Sequence, residues 1–131
     1  MERWQKVEKK AVTYTGEVVK KTPNPIVKHI LTIIQRDSEM HHRTQQLIVD
    51  LMQGTIQMTP DEVAETWDMI EKHIETEHQA VELAREAKQL LLDRHLPVPE
   101  YLVGYLLADE EKHNALLDQL RLIKDKMYPY A

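Results

Sequence analysis

A glutamate and a histidine three residues apart recur in this sequence, and that spacing suits metal binding. The pairs are Glu39–His42, Glu75–His78 and Glu110–His113. Residues three apart lie on one side of a helix, so the carboxylate and the imidazole of a pair can reach the same metal ion. Asp37 and His41 offer the same two groups one helical turn apart. Whether these groups form a metal site or a polar surface depends on which of them the fold turns inward.

Breaks rich in proline and glycine divide the chain into four helical segments. The breaks are TPNP, QGTIQMTPDE and HLPVPE. Proline removes a backbone donor and disfavours helical geometry in the residue before it. Between the breaks, apolar residues recur at helical spacing. The predicted helices are roughly residues 2–21, 25–53, 60–94 and 98–127.

The connections between these segments are too short for consecutive helices to run parallel. About six linking residues reach about 20 Å when extended, whereas the helices are about 40 Å long. The sequence therefore predicts a single all-α domain over residues 1–131, an antiparallel up-down-up-down four-helix bundle. In such a bundle, inward positions at equal distances from a turn meet at one level.

The apolar side of each helix predicts which charged groups face inward. On the second helix that side is centred on Ile30, Ile34 and Ile48, and it includes Asp37 and His41. On all four helices together, the charged groups on the apolar sides that lie at similar distances from the turns form one set of candidate ligands. They are Glu8, Asp37, His41, His73, Glu77, Glu110 and His113. Among the pairs with Glu-x-x-His spacing, Glu39–His42 and Glu75–His78 lie on polar sides and stay open as alternatives.

Several ionised carboxylates in an apolar interior need compensation. An unpaired buried carboxylate costs several kcal/mol or more. One or two metal cations would provide that compensation, and iron and manganese accept carboxylate oxygen and imidazole nitrogen together. The aligned layer of acids and histidines therefore predicts a metal site in the bundle core.

The second and fourth helices share a short internal sequence similarity. The stretch RDSEMHHRTQQLI aligns with ADEEKHNALLDQL, which matches Asp37 to Asp109 and His41 to His113. Both helices thus carry related polar residues on their inward sides.

The stretch LLADEEKHNALL resembles the last helix of the ferritin-like superfamily, in particular of small rubrerythrin-related di-iron-carboxylate proteins. TPNPIVKHILTIIQRDSEMH is similar to the turn and second helix of such proteins, and EKHIETEHQAVELA to the third. The resemblance implies a ferritin-like fold with Glu8 and Glu77 as lone glutamate ligands and Glu110 and His113 as one Glu-x-x-His pair. It also implies two iron ions, with manganese or zinc as alternatives.

The chain departs from this family at one ligand position. The second Glu-x-x-His pair would fall at residues 38 and 41, where the chain has Ser38 and His41. One expected carboxylate is therefore missing. Asp37 and His73 are candidate substitutes, and a mononuclear, weak or lost site is the alternative.

For function, the resemblance implies iron binding and oxidation by oxygen or peroxide, of the ferroxidase or peroxidase type. With no cysteine, the chain cannot carry the electron-donating rubredoxin domain of full rubrerythrins, so turnover would need an external reductant. The competing hypothesis is a metal-free helical scaffold or interaction domain whose buried polar layer is structural. A hemerythrin-like oxygen carrier fits less well, because that family uses more histidines and fewer carboxylates.

Composition argues against several other classes of protein. The net charge of −5 argues against nucleic-acid binding. No apolar run approaches the eighteen or so residues of a membrane span, and the start MERWQKVEKK is too polar for a signal peptide. We therefore expect a cytoplasmic protein with no nucleic-acid or membrane partner, and a homo-oligomer is compatible with the sequence.

Overall fold

The computed structural model describes residues 1–127, so residues 128–131 of the predicted domain lie outside the described range. Within residues 1–127 the chain forms four helices and no strand. The helices are α1 (Glu2–Lys21), α2 (Pro25–Gln53), α3 (Pro60–Leu91) and α4 (Pro97–Met127). The prediction of an all-α fold with four helices is confirmed.

Side-chain caps fix the starts of α2 and α3 where the sequence predicts them. The Asn24 side chain accepts hydrogen bonds from the backbone N–H groups of Ile26 and Val27, at 2.9 and 3.1 Å. At α3, the Thr59 hydroxyl accepts from the N–H of Glu62, and the Glu62 carboxylate accepts from the N–H of Thr59. These contacts satisfy donors that have no partner inside the helix.

The end of α3 differs from the prediction. The helix ends at Leu91 rather than near residue 94, because the chain turns there. The N–H of Arg94 donates to the carbonyl of Leu91 at 3.1 Å, and His95 adopts a left-handed backbone conformation with φ 52°. That conformation cannot continue a right-handed helix. α4 then begins at Pro97.

None of the helices in the described range combines the length and the apolar composition needed to cross a lipid bilayer.

Two compact units divide the chain between residues 57 and 58, and each contains one pair of helices. In the first unit, α1 packs against α2. The Gln5 amide donates to Gln46 at 3.1 Å, and the Gln35 amide donates to the carbonyl of Val12 at 3.4 Å. Residue numbers therefore fall along α2 as they rise along α1.

The second unit, in which α3 packs against α4, has an apolar core. Its buried cluster and the partly buried side chains packed against it are Val63, Trp67, Ile74, Ile70, Leu117 and Leu120. Polar contacts border this core: Lys124 lies 4.6 Å above the Trp67 ring, and Arg121 lies 3.6 Å from Glu71. Full burial of an aliphatic side chain contributes about 1.5–3 kcal/mol, so this core is the main source of stability in the unit.

The buried side chains of the first unit are all polar. They are Glu8, Thr15, Ser38 and Gln45. The Thr15 hydroxyl donates to the carbonyl of Ala11 at 2.7 Å, whereas neither amide atom of Gln45 makes a hydrogen bond within the described residues. The contact line between α1 and α2 is therefore a polar seam.

Candidate metal centre

The side chains of Glu77, Glu110 and His113 converge in the second unit. One ligand atom from each lies within 4.8 Å of those of the other two. Among residues 1–127, this is the one group of at least three acidic, histidine or cysteine side chains close enough to hold a single ion. α3 contributes Glu77, and α4 contributes the other two.

Core packing holds Glu77 and His113 in place. Ile70 and Ile74 precede Glu77 on α3 at spacings that put all three on one side of the helix, and both isoleucines belong to the core. On α4, His113 comes one turn before Leu117, which packs against the same core. The Glu77 side chain is only 12% exposed, so its charge is poorly solvated and needs a partner.

Glu77 contacts two histidines and keeps one oxygen without a hydrogen bond. Its Oε1 lies 3.0 Å from Nε2 of His73, and its Oε2 lies 3.4 Å from Nδ1 of His113. Oε2 is buried and has no well-aligned hydrogen-bond partner within the described residues. A buried carboxylate oxygen in this state is one that a cation would satisfy.

The carboxyl groups of Glu77 and Glu110 shift each other's pKa. The hydrogen bond with Glu77 raises the pKa of Glu110, and burial and the Glu77 charge act in the same direction. The same hydrogen bond lowers the pKa of Glu77, against the effect of burial and with help from the charges of His113 and His73. The two carboxyl groups therefore titrate as a pair, and a cation bound between them would favour the ionised form of both.

Asp109 orients the His113 ring. Its Oδ2 lies 3.2 Å from Nε2 of His113, and its Oδ1 lies 2.8 Å from Nζ of Lys112. Nδ1 of His113 is 3.6 Å from Oε2 of Glu110. With the proton on Nε2, the lone pair of Nδ1 is on the side of the carboxylates, as metal-binding histidines require. Asp109 was not among the predicted ligands, although its spacing of four residues from His113 signals this contact.

The first unit brings together Glu8 and His41. Oε1 of Glu8 lies 3.2 Å from Nδ1 of His41 and accepts a hydrogen bond from Nε1 of Trp4 at 3.2 Å. Glu8 is buried, whereas the His41 side chain is 58% exposed. This unit therefore pairs one carboxylate with one imidazole, with no third ligand beside them in the described residues.

Asp37 does not lie on the seam between α1 and α2, and its role as a metal ligand stays a prediction. Asp37 is exposed, whereas the adjacent Ser38 is buried. The prediction centred the inward side of α2 on isoleucines such as Ile34, which is itself 45% exposed. The contact line with α1 follows Ser38 and Gln45, two turns apart, and so differs from the apolar side of α2.

The two alternative Glu-x-x-His pairs lie outside the cluster. Glu39 and His42 border a surface cavity of about 360 Å³ that Lys9 and Arg43 also line. Glu75 and His78 border another cavity, of about 530 Å³. Both glutamates are exposed, so water can solvate their charge.

A shallow cavity opens beside the candidate centre within the second unit. Its volume is about 280 Å³, and its lining residues are His73, Glu77, His113, Leu116 and Leu117. Small molecules could approach the carboxylates from this side without displacing the core.

Comparisons with protein-family models, with curated proteins and with solved structures gave no match to this chain in any of the three searches.

Proposed function

We propose that this protein binds a metal ion through Glu77, Glu110 and His113, and that it is a ferritin-like iron protein. The observation that carries the proposal is the convergence of three ligand atoms within 4.8 Å on two packed helices. Two carboxylates and one imidazole suit Fe(II), Mn(II) and Zn(II). Iron is the first choice because of the resemblance of LLADEEKHNALL to di-iron-carboxylate proteins.

The charge state of the cluster supports metal binding. Hydrogen bonding between the two carboxyl groups raises the pKa of Glu110 and lowers that of Glu77, and Oε2 of Glu77 is buried without a well-aligned hydrogen-bond partner within the described residues. A divalent cation between the carboxylates would offset their mutual repulsion and so favour the ionised form of both. His73, on the other side of Glu77, is an additional ligand or an orienting group.

The proposal includes the finer architecture that the resemblance implies. In an antiparallel ferritin-like bundle, Glu8 and His41 would form the matching half of the same centre. The connection of six residues between α2 and α3 supports this arrangement. So do exposed aliphatic side chains in both units, such as Ile48 at 39% and Leu106 at 51%, because further packing would remove them from water.

Each residue of the centre has a separate role in this proposal. When bound, iron would supply Lewis acidity and one-electron chemistry toward oxygen or peroxide, with an external reductant closing any catalytic cycle. Glu77 and Glu110 provide the negative charge that favours the oxidised ion. Asp109 keeps the proton of His113 on Nε2 and leaves Nδ1 available to the metal. The cavity beside His73 and Leu116 admits a small oxidant.

A metal-free scaffold is the second candidate function, and the first unit favours it. There, Oε1 of Glu8 contacts both His41 and Trp4, so the buried carboxylate has two partners without a cation. Buried polar contacts of this kind can specify how helices pair rather than add stability. In this case the acids and histidines would be structural throughout the chain.

Metal titration separates the two candidates. Under the first, wild-type protein binds Mn(II) or anaerobic Fe(II), and its melting temperature rises, because a ligand that prefers the native state stabilises it by about 2.7 kcal/mol at one hundred times its Kd. Glu110→Ala with His113→Ala abolishes that shift.

The matched control is Glu75→Ala with His78→Ala, which removes the same two residue types at the same spacing from an exposed site. This variant keeps the full shift. Identical melting temperatures of wild-type protein with and without each metal, together with no bound metal, would establish the scaffold instead.

A further inference from the structure

We propose that a cleft on the first unit binds a phosphate monoester that carries hydroxyl groups, such as a small phosphorylated polyol. This α1–α2 cleft has a volume of about 360 Å³, and side chains of both helices line it. Its lining residues are Lys9, Val12, Thr13, Glu39, His42 and Arg43. None of them belongs to the proposed metal centre, so this inference does not rest on the proposed function.

The first unit is positively charged, although the whole chain is negatively charged. Residues 1–57 contain nine lysines and arginines against six aspartates and glutamates, a net charge of +3. Residues 58–131 contain eight against sixteen, a net charge of −8. A surface with excess positive charge raises the local concentration of anions. An anionic ligand is therefore expected on the first unit rather than on the second.

Two cationic side chains line the cleft from different helices, Lys9 from α1 and Arg43 from α2. Neither makes an ion pair within residues 1–127. Glu39 precedes Arg43 by four residues, a spacing at which ion pairs form readily along a helix, yet the two are not paired in the structure. Both positive charges are therefore available to a ligand.

Two unpaired positive charges match a phosphate monoester better than a carboxylate. A phosphate monoester carries a charge of about −1.5 to −2 near neutral pH, whereas a carboxylate carries a single charge. The planar guanidinium of Arg43 can donate two parallel hydrogen bonds to phosphate oxygens, and the Lys9 ammonium adds a point charge. His42, which is half-buried, offers a ring N–H as a further donor.

The remaining side chains of the cleft indicate that the ligand has an organic part with hydroxyl groups. The ionised carboxylate of Glu39 only accepts hydrogen bonds, so it repels a bare anion and favours a ligand that brings its own donors. Val12 adds apolar surface. The volume of about 360 Å³ lies within the range of small-molecule sites, about 300–1,000 Å³, and is more than inorganic phosphate fills.

A second cavity adjoins the cleft along α1. Its volume is about 310 Å³, and Lys9 and Thr13 line it as well as the cleft. Lys10, Tyr14 and Glu17 complete it. Tyr14 is 68% exposed, so its hydroxyl is accessible. The adjoining cavity therefore provides both space and polar groups for the organic part of the ligand.

Calorimetric titration with glycerol phosphate tests the inference, in a buffer with chelator so that no metal can hold the phosphate. We expect one ligand per chain for wild-type protein. Lys9→Ala and Arg43→Ala should each weaken binding about tenfold or more, because each removes a charge-assisted contact. Circular dichroism checks that both variants fold.

The matched controls are Lys20→Ala and Arg36→Ala, which remove the same residue types from exposed positions on the same helices. Lys20 and Arg36 line neither cavity, so these variants should keep the wild-type affinity. Equal losses in the controls would show attraction by the overall charge of the unit and would overturn the inference.

Glu39→Gln tests the hydroxyl groups of the ligand. Wild-type protein should bind glycerol phosphate more tightly than inorganic phosphate, and this variant should reduce that preference several-fold. It removes the charge that repels the bare anion and accepts from the hydroxyl groups. Equal affinity of wild-type protein for the two compounds, or no binding of glycerol phosphate, would overturn the inference.

The proposed metal centre can fail without affecting this test. Glu110→Ala with His113→Ala changes only the second unit, so it should bind glycerol phosphate as wild-type protein does. Loss of glycerol phosphate binding in this folded variant would overturn the assignment of the ligand to the α1–α2 cleft.

Discussion

The two helix pairs place a glutamate against a histidine in the same way, but they surround that contact with different side chains. The second unit buries Val63, Trp67 and Ile74 beside its cluster. The first unit buries only polar residues, and Gln45 among them has no hydrogen bond within the described residues. The same contact is thus supported by an apolar core in one unit and by a polar seam in the other.

This difference determines how much each unit can offset the cost of placing acidic side chains in its interior. Apolar burial contributes about 25 cal/mol per Å², whereas a buried hydrogen bond contributes about 1 kcal/mol net and an unmade one costs more. The apolar core of the second unit therefore offsets the cost of placing two carboxylates close together. The first unit has less apolar burial to offset such a cost, and Oε1 of its acid, Glu8, contacts both His41 and Trp4.

Truncation of the core of the second unit has the largest expected effect. Trp67→Ala should lower the free energy of unfolding by about 3–5 kcal/mol, because it leaves a cavity among buried side chains. Met69, on the same helix and 74% exposed, gives the control: Met69→Ala should change it by less than about 0.5 kcal/mol. Urea unfolding measures both. Equal losses in the two variants would show that the apolar core does not dominate the stability of this unit.

Removal of the buried amide in the first unit should be stabilising. Gln45 is 2% exposed and its amide is unpaired within the described residues, so Gln45→Leu should raise the free energy of unfolding by about 1–2 kcal/mol. The control is the neighbouring Gln46, which is exposed and hydrogen-bonded to Gln5 and Asp50. Gln46→Leu should not raise the free energy of unfolding. A loss of stability in Gln45→Leu would mean that the amide has a partner and that the seam is fully satisfied.

The opposite pKa shifts of Glu77 and Glu110 predict a smaller effect, a dependence of the free energy of unfolding on pH. The raised pKa of Glu110 means that the folded protein keeps a proton that the unfolded chain has lost. Metal-free stability should therefore fall as pH rises from the ordinary glutamate pKa to that of Glu110. The lowered pKa of Glu77 gives the opposite slope at more acidic pH. Glu110→Gln should flatten the upper slope in urea unfolding measured in chelator. An unchanged slope would show that Glu110 does not hold this proton.

The helices were predictable from sequence because their limits are local. The starts of α2 and α3 could be placed from residue types alone, because a cap or a first-turn proline affects only its own helical turn. The residues concerned are Pro25, Thr59 and Pro60. The end of α3 could not be placed in this way, because the chain changes there to tighter turns, in which Leu92 donates to Gln89 and Arg94 to Leu91, and few residue patterns signal that change.

The side of α2 that packs against α1 was harder to predict, because residue types alone do not show which neighbouring helix each side contacts. An apolar stripe identifies a side that avoids water, and on α2 that stripe is not the line that packs against α1. Ser38 and Gln45 form that line instead, and Asp37 is exposed. On α3 the apolar stripe and the contact line coincide, and Glu77 lies on the same side of the helix as Ile70 and Ile74 of the core.

Anomalous diffraction at the manganese or iron edge, on crystals grown with the metal, tests the central claim most directly. The account predicts a peak within bonding distance of the side chains of Glu77, Glu110 and His113. A bound metal with no peak at these three residues, or a peak at Glu75 and His78 instead, would contradict it.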